Sequence, residues 1–308
     1  METATFASAE AAGQGDLVQF RVGRAKAYVV SHPELAHQVL VNDRVFEKGG
    51  LFVDRLREFI GDSVTTCPRP EHRRLRRLMQ PAFHPGRFPG YARTITTETE
   101  AVISLWQDGQ VLDAYTAMYP ITARIAARTM FAAPASRALV EDAQMVLTEI
   151  ISSAGRRMFM PPADRIPTPG KVRYDRARRR IREITDQLTA DYRTAGVDHG
   201  DLMSMLLAAR DENAEPLSEQ EISDQVVTLF LGGIETVAST LGWALSALAR
   251  KCIADAFSMI EAPLILAAIA SRWRIEAVGT PIRPLTRISL ILNPRGQRIR
   301  IIRRDRPG

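Results

Sequence analysis

Alternating apolar and polar residues near the start of the chain predict a pair of short β-strands. Apolar side chains recur at every second position on both sides of Gly23, and this period of two is typical of strands in a hairpin. The predicted hairpin covers residues 17–31. Ser31 and Glu34 then have the spacing of a capping box, which predicts the start of a short helix.

Beyond the hairpin, apolar positions recur every three or four residues, which is the period of amphipathic helices. Helices are predicted at 71–80, 91–106, 115–131, 136–153, 171–193 and 202–210. A second capping box, Ser218 to Glu221, opens a long apolar helix, and a further helix extends to about Arg272. The period of two returns at 274–278, 288–292 and 298–302. The pattern therefore predicts a mainly α fold with small β-sheets at the two ends of the chain.

The composition agrees with a folded, helical protein. The chain has 308 residues, of which 45% are hydrophobic, 25% charged and only 6% aromatic. A chain of this length can bury a large core, and apolar residues dominated by Ala and Leu favour helix over strand. The net charge is +6 and the isoelectric point about 9.7. Because no aromatic side chains alternate with the arginines, we expect no nucleic-acid partner, and an acidic protein partner suits the basic surface better.

The two cysteines, Cys67 and Cys252, form neither a disulfide framework nor a CxxC metal site. The first residues contain no basic and apolar signal segment, so we expect a reducing, cytoplasmic location. We interpret Cys67 as an inert buried side chain, since Pro68 follows it and no helix is predicted directly after it.

The long apolar helix is the one segment with the length of a membrane span. Residues 226–249 contain a single charge, Glu235, and this stretch is long enough to cross a bilayer. An acidic residue near the centre of a span costs roughly 2.5–3.5 kcal/mol, and the stretch also contains adjacent glycines and several hydroxyl side chains. We therefore expect no membrane span, but a buried core helix with an interruption at its glycines.

Three groups of residues have the chemistry of a functional site. The first is Gly232, Gly233, Glu235 and Thr236 in the apolar helix. Two glycines cost a helix roughly 1 kcal/mol each relative to alanine. They widen the helix locally, so that a small ligand reaches the backbone beside an acid and an alcohol. The alternative is close helix packing on the glycines, with the Thr236 hydroxyl bonded within its own helix; the motif alone does not separate the two.

The other two groups are basic. His72 and Arg76 are four residues apart, which places them on one helix face in a suitable geometry for paired carboxylates, although a solvated basic helix has the same pattern. Cys252 follows Arg250 and Lys251 and precedes an amphipathic helix, so its thiolate is favoured by charge and by the helix N-terminus. Such a thiolate is a suitable iron ligand, although buried inert cysteines are commoner.

Together these groups resemble the motifs of the cytochrome P450 family, and the resemblance covers nearly the whole chain. Residues 232–236 are similar to the family's oxygen-activating helix signature, (A/G)-G-x-(D/E)-T. The predicted helix 71–80 resembles its propionate-binding helix, in which His72 and Arg76 match the positions that contact the haem propionates. In the cysteine loop, Cys252 matches the iron ligand and Arg250 a further propionate contact.

The resemblance implies a monooxygenase with haem b that inserts one oxygen atom from O₂ into an apolar small molecule. Glu235 and Thr236 would deliver protons, Gly232 and Gly233 would border the cofactor, and a ferredoxin or flavoprotein would supply electrons.

The same resemblance implies one P450-like domain over residues 1–308. The hairpin at 17–31 would precede a helical body at 32–250, followed by the cysteine-proximal helix and a C-terminal β region at 251–308.

One stretch of the family pattern is missing. Family members have a long segment between the oxygen helix and the cysteine loop, including a helix with a Glu-x-x-Arg pair. The Glu-x-x-Arg of this chain, Glu71 to Arg74, lies in the propionate helix instead. In the cysteine loop, Leu245 and Leu248 stand where Phe and Gly are expected, and Ala254 replaces another Gly. We therefore expect an internally truncated P450 fold with impaired turnover. A haem- or ligand-binding remnant without turnover and a non-functional deletion product are the alternatives.

The missing segment also affects the thiolate. Thr236 and Cys252 are separated by sixteen positions, and no helix-terminating residue stands between Trp243 and Cys252. A helix that continued to Arg250 would place Cys252 about 24 Å along the axis from Thr236, at 1.5 Å per residue. We therefore predict a continuous helix and a lost thiolate site.

Overall fold

The structure, a computed structural model, describes residues 15–22, 25–132, 142, 146, 168–248, 261–279 and 296–304. Two strands, β1 (Leu17–Val22) and β2 (Ala25–Val30), precede the first helices, α1 (Pro33–Val41), α2 (Gly50–Ile60) and α3 (Arg69–Met79). Two short 3₁₀ turns, Gln80–Phe83 and Pro85–Arg87, then lead into α4 (Phe88–Ile103). The remaining elements are β3 (Val111–Asp113), α5 (Ala114–Met130), α6 (Pro169–Ala195), α7 (Leu202–Ala208), α8 (Glu219–Leu248), α9 (Glu261–Arg272), β4 (Trp273–Ala277) and β5 (Arg298–Arg303).

The predicted helices that fall within the described residues are present, with ends that differ by a few residues. The capping box that opens α8 is confirmed, because the Ser218 hydroxyl accepts from the Glu221 amide at 3.2 Å while the Glu221 carboxylate accepts from the Ser218 amide at 2.8 Å. The capping box at Ser31 was wrong. The N-cap of α1 is His32, whose side chain makes no capping bond. The predicted helix 136–153 lies outside the described residues except for Asp142 and Val146, and the strand 288–292 lies outside them entirely.

Small antiparallel sheets occur near both ends of the chain, but one of them also includes a strand from the middle. The hairpin β1–β2 pairs Leu17 with Val30 and Val22 with Ala25, as predicted. The second sheet has the order β3–β5–β4. Its β3 strand comes from the turn before α5 and was not predicted from the sequence. A three-residue strand has too short a pattern to be read from its sequence.

Two adjoining clusters of buried side chains form the core. The first joins α2, α3, α6 and the first half of α8 around residues such as Leu75, Ile184 and Phe230. The second joins α4, α5, the later part of α8 and the C-terminal elements, and it includes Met118, Leu241 and Ile269. Because α9, β4 and β5 share this second cluster with α5 and α8, the C-terminal elements are packed into the helical body.

A carboxylate at the start of α8 connects three elements of the first cluster. The Asp224 carboxylate accepts from the Arg182 guanidinium of α6 and from the Asp62 amide at 2.9 Å. Gly61 precedes that amide with a φ of +73°, and an added Cβ would lie 2.1 Å from the Asp224 carboxyl carbon. The turn after α2 therefore requires glycine both for its backbone conformation and for the close approach of Asp224.

Candidate haem-contacting site

One face of α8 remains open to solvent among the described residues. Along most of its length the helix is covered, chiefly by α5. The partly or fully exposed positions include a set that recurs every three or four residues: Leu229, Gly232, Thr236, Thr240, Trp243 and Ala247. Residues beside this set are partly exposed as well: Leu231, Gly233, Val237 and Ala244. The spacing of the first set defines a single stripe along the helix, which we call the open face. Its side chains are small or apolar, unlike the charged side chains that usually cover a solvent-facing helix.

The glycine motif lies on and beside this open face. A Cβ added at Gly232 would meet no atom within 4 Å, whereas one added at Gly233 would lie 3.7 Å from the Ala126 Cβ of α5. Gly233 therefore faces a neighbouring helix, and Gly232 faces open space. The Thr236 hydroxyl donates to the Gly232 carbonyl, the internal bond expected for an intrahelical threonine. The helix runs without interruption from Glu219 to Leu248, so the predicted break at the glycines was wrong.

Glu235 does not share the open face with its neighbour Thr236. It is buried, and the Tyr115 hydroxyl of α5 donates to its Oε2 at 2.5 Å. Its other oxygen, Oε1, is buried and has no hydrogen-bond partner among the described residues. Sequence reasoning missed Tyr115 because its partner is 120 positions away, and no local pattern connects the two. The acid and the alcohol of the motif thus occupy different environments.

The basic helix α3 divides into paired and unpaired cations. Arg74 lies 2.7 Å from Asp211 and also bonds Glu221, while Arg77 pairs with Glu212. Arg69 and Arg73 lie 2.9 and 3.8 Å from Asp43. His72 and Arg76 have no ion pair or side-chain hydrogen bond with a residue that the structure describes. The two predicted propionate contacts, His72 and Arg76, are therefore the basic side chains of this helix that have no ion pair or side-chain hydrogen bond within the described chain.

The electrostatic surroundings of His72 favour an incoming anion. Partial burial lowers the pKa of its imidazole below the usual 6.5, and the nearby positive charges of Lys48 and Arg76 lower it further, while Asp43 opposes them. A carboxylate bound between His72 and Arg76 would reverse this effect, because an opposite charge stabilises the imidazolium.

The two remaining predicted site residues, Arg250 and Cys252, lie outside the described residues. The structure does place the helix that leads towards them, since α8 continues to Leu248 and the next described element, α9, begins at Glu261. The predicted continuity of the helix is confirmed as far as Leu248. The loss of the thiolate site stays a prediction. Within the described parts of the chain, no three His, Cys, Asp or Glu side chains are grouped to hold a metal ion.

The other cysteine, Cys67, lies directly ahead of α3, whose N-cap is Pro68. The expectation that no helix follows it was therefore wrong. Cys67 is nevertheless only 1% exposed, and burial raises the pKa of its thiol. A higher pKa disfavours the reactive thiolate, so the structure agrees with an inert side chain.

A stretch of α8 has the length and apolarity of a membrane span. The stretch covers Glu219–Ala247, and 56% of its most apolar window is buried inside the fold. Phe230 and Leu241 of this stretch belong to the two core clusters, as expected for a core helix.

With this geometry established, comparison with known proteins places the chain in a family. The cytochrome P450 family model matches residues 9–252, and the chain belongs to this family. It is 39% identical to pentalenene oxygenase of Streptomyces avermitilis over 260 residues, which are 84% of this chain and 58% of that protein. It is 41% identical to cyclooctat-9-en-7-ol 5-monooxygenase of Streptomyces melanosporofaciens over 232 residues, 74% of this chain and 50% of that protein. The chain thus spans only about half to three fifths of these relatives.

The fold agrees with the family. A cyanobacterial cytochrome P450 with bound retinoic acid superposes with a TM-score of 0.65 at 21% identity, covering 80% of this chain and 56% of that one. The prediction of a mainly α, P450-like fold with small sheets is confirmed. Members of the family bind haem b, and the described residues fit that group in two ways. The open face leaves space above Gly232, and the unpaired His72 and Arg76 suit carboxylates.

Proposed function

We propose that this chain binds haem b and acts as a monooxygenase that inserts one oxygen atom from O₂ into an apolar small molecule, with turnover impaired by a missing internal segment. The observation that carries the proposal is the coincidence of two features. The glycine of the oxygen-helix motif faces open space, and the two propionate positions of α3 are the ones without a carboxylate partner in the described chain.

The roles of the binding residues follow from their chemistry. His72 and Arg76 would hold the haem propionates through charge-assisted hydrogen bonds, with Arg250 as a third contact. Gly232 and Gly233 would allow the α8 backbone to lie close to the cofactor. Cys252 would be the thiolate ligand of the iron. When bound, haem supplies the oxidant that attacks the substrate.

The acid and the alcohol of the motif have separable tasks. Thr236 lies on the open face, where its hydroxyl would hold a proton on the cofactor side of α8, and its donor bond to the Gly232 carbonyl fixes the direction of the hydroxyl. Glu235 lies in the core with its carboxylate bonded to Tyr115, and we assign it the role of a proton reserve behind Thr236.

The substrate and partners are proposed from chemistry and from the relatives. The names of the two relatives describe oxidation of an alkene and of a cyclic alkenol. We therefore propose a terpene-like apolar substrate for this chain. A ferredoxin or a flavoprotein would supply electrons, because a net charge of +6 favours encounter with an acidic donor. We propose a cytoplasmic location, with α8 as a core helix and not a membrane span.

We attribute the impaired turnover to the missing segment between α8 and the cysteine loop. A helix that is continuous to Leu248 leaves only residues 249–252 for the chain to reach Cys252, which would have to lie on the opposite side of the cofactor from α8. A haem-binding remnant without turnover is the second candidate, and this continuity favours it. A non-functional deletion product is the third candidate. The packing of α9, β4 and β5 into the second core cluster speaks against it, because the body and the C-terminal elements form one core.

The carbon monoxide difference spectrum of the reduced, haem-reconstituted chain tests the proposal. A red-shifted Soret band would show thiolate ligation, which fits both the monooxygenase and the haem-binding remnant, and formation of an oxygenated product would then support the monooxygenase. A stoichiometric haem with an unshifted band would indicate the haem-binding remnant. A chain that retains no haem would contradict the proposal.

A further inference from the structure

A pocket that is formed by neither α3 nor α8 lies where three parts of the fold meet. It is lined by the start of α4, the end of α5 and the loop between α6 and α7, and its volume is about 330 Å³. We call it the α4–α5 pocket. Its volume lies within the range of small-molecule sites, roughly 300–1,000 Å³, and none of the described residues that line it has been assigned to haem above.

Three arginines line the α4–α5 pocket and make it positively charged. Arg93 is exposed and has no ion pair or hydrogen bond with a residue that the structure describes. Arg87 donates to a backbone carbonyl at 3.4 Å, which leaves its charge unpaired. Arg128 lies 3.5 Å from Glu98, but Arg124 holds the same carboxylate more closely, at 2.7 Å. The charge of the three arginines is therefore only partly neutralised within the described chain.

The one carboxylate among the described lining residues, that of Asp201, is already bonded within the fold. Asp201 is 3% exposed and is the N-cap of α7. Its carboxylate accepts from the Tyr192 hydroxyl, from the Ala132 amide at 2.7 Å and from the Ser204 amide at 2.9 Å. It forms no ion pair with an arginine that the structure describes. The arginines of the pocket are thus available to a ligand.

Two further features of the pocket favour an anion. The first turn of α4 contains no acidic side chain, and the N-cap residue Arg87 makes no side-chain capping bond, so the positive end of the helix dipole is not compensated there. His199 also lines the pocket, and its Nε2 is buried without a hydrogen-bond partner among the described residues. The pocket wall therefore contains one more polar group whose hydrogen-bonding capacity is unused in the described chain.

We propose that the α4–α5 pocket binds the phosphate group of a small molecule. Guanidinium groups match phosphate oxygens in a bidentate geometry, and the start of a helix adds backbone N–H groups and a positive dipole. Three arginines suit a ligand with two or more negative charges better than a single carboxylate. The volume leaves room for an organic phosphate ester or a diphosphate as well as for free phosphate. This site is independent of the proposed function, since it does not involve the haem contacts.

The first test measures the binding of inorganic pyrophosphate to the full chain without haem, by titration calorimetry at constant ionic strength. Arg93→Gln should weaken binding about tenfold, because a charge-assisted hydrogen bond is lost, and the variant should fold because Arg93 is exposed and unpaired. Arg176→Gln is the matched control, since it removes the same charge from an exposed position on α6 and should leave the affinity unchanged. Equal losses from both variants would show that net charge alone attracts the ion, and would overturn the proposal.

The second test locates the ion without any variant. The imidazole proton resonances of His199 should shift when pyrophosphate is added, whereas those of His37 on α1 should not. Shifts at His72 without shifts at His199 would place the ion at the propionate positions of α3. That result would contradict the proposal and leave the haem assignment intact, so the two can fail separately.

The source of the phosphate group is tested by comparing probes. Inorganic phosphate, inorganic pyrophosphate and phenyl phosphate are titrated under the same conditions, with sulfate as the control anion. Tighter binding of phenyl phosphate would support an organic phosphate ester as the ligand, and tighter binding of pyrophosphate would support a diphosphate. If sulfate binds as tightly as all three, and every affinity falls steeply with added salt, the pocket is only a basic surface and the proposal is wrong.

Discussion

The N-terminal region and the α5–α8 helix pair differ in the burial of their apolar side chains. Between residues 15 and 50, no described side chain is buried, and Leu40 and Val45 are 81% and 74% exposed. In the α5–α8 pair, by contrast, Met118, Ile121, Leu241 and others are fully buried. The N-terminal elements thus form from local pattern and hairpin pairing, whereas α8 depends on long-range packing. A helix or strand that is correctly predicted from the sequence is therefore not always packed into the core.

Polar contacts, not apolar burial, attach the N-terminal region to the body. Asp43 pairs with two arginines of α3, and the Lys48 ammonium donates to the Val64 carbonyl at 3.2 Å. Exposed pairs of this kind contribute up to about 1 kcal/mol each. We therefore expect core substitutions to have large effects and N-terminal substitutions small ones.

The largest effect is expected for Phe230→Ala. Phe230 is 1% exposed, and its ring lies 6.1 Å from that of Phe131, so truncation should destabilise the fold by about 3–5 kcal/mol. The matched control is Leu40→Ala in the N-terminal region, which should change the free energy of unfolding by less than about 0.5 kcal/mol. Urea unfolding monitored by circular dichroism measures both. Similar losses from the two variants would contradict the contrast between the regions.

A somewhat smaller loss of stability is expected for Gly61→Ala, in the turn that follows α2. The new Cβ must displace the Asp224 carboxylate from Arg182, and alanine must adopt a φ of +73° with a ψ of −163°, a conformation that is rare for residues other than glycine. Together these effects should cost roughly 2–4 kcal/mol. Gly109 has nearly the same φ, +74°, with nothing within 4 Å of an added Cβ. Gly109→Ala should therefore lose only about 1 kcal/mol, and an equal loss at both sites would assign the whole effect to backbone strain.

Helix α3 contacts both regions, since Arg69 pairs with Asp43 and Arg74 pairs with Glu221 of α8. Removing His72 and Arg76 together should weaken haem retention about tenfold to a hundredfold, because two charged hydrogen bonds to propionates are lost. The control is a double variant of Arg176 and Arg179, which are exposed on α6; Arg178 is less suitable because its guanidinium lies over the Tyr174 ring, 5.9 Å from the centroid. Haem transfer to apomyoglobin measures retention. Equal losses of haem from both double variants would show that α3 is only a basic surface and does not bind the propionates specifically.

The smallest effect concerns protonation of His72. Its pKa is below the ordinary 6.5, so the folded state favours the neutral imidazole. This contribution to stability is present above the unfolded-state pKa and is lost as the pH falls through that range, because the unfolded chain then binds the extra proton. His72→Gln should abolish that part of the pH dependence of unfolding.

Neighbouring charges should move the His72 pKa in opposite directions. Arg76→Gln removes a repelling cation and should raise it, whereas Asp43→Asn removes the one attracting carboxylate named above and should lower it. Titration of the imidazole proton resonances measures both shifts. An unchanged pKa in both variants would show that burial alone sets it, and that the N-terminal region does not influence the site.

Local rules account for the elements that were predicted correctly from the sequence. The hairpin period, the helical periods and the Ser218–Glu221 capping box depend on residues within a few positions of one another, and each predicted an element that the structure contains. The P450 family could be predicted for the same reason, because its motifs at positions 72–76 and 232–236 are each made of residues that are close together in the sequence. The α2 helix and the β3 strand were missed, since neither has a distinctive period of its own.

Tertiary structure decided which of these residues are free and which are bound. Arg74 pairs with Asp211 and Glu221, whereas His72 and Arg76 have no ion pair with any residue that the structure describes, although all of them belong to one basic pattern. Glu235 and Thr236 are adjacent in the sequence, yet one is bonded to Tyr115 in the core and the other lies on the open face. The physical reason is that burial and ion pairing depend on contacts between residues more than a hundred positions apart, which no local period encodes.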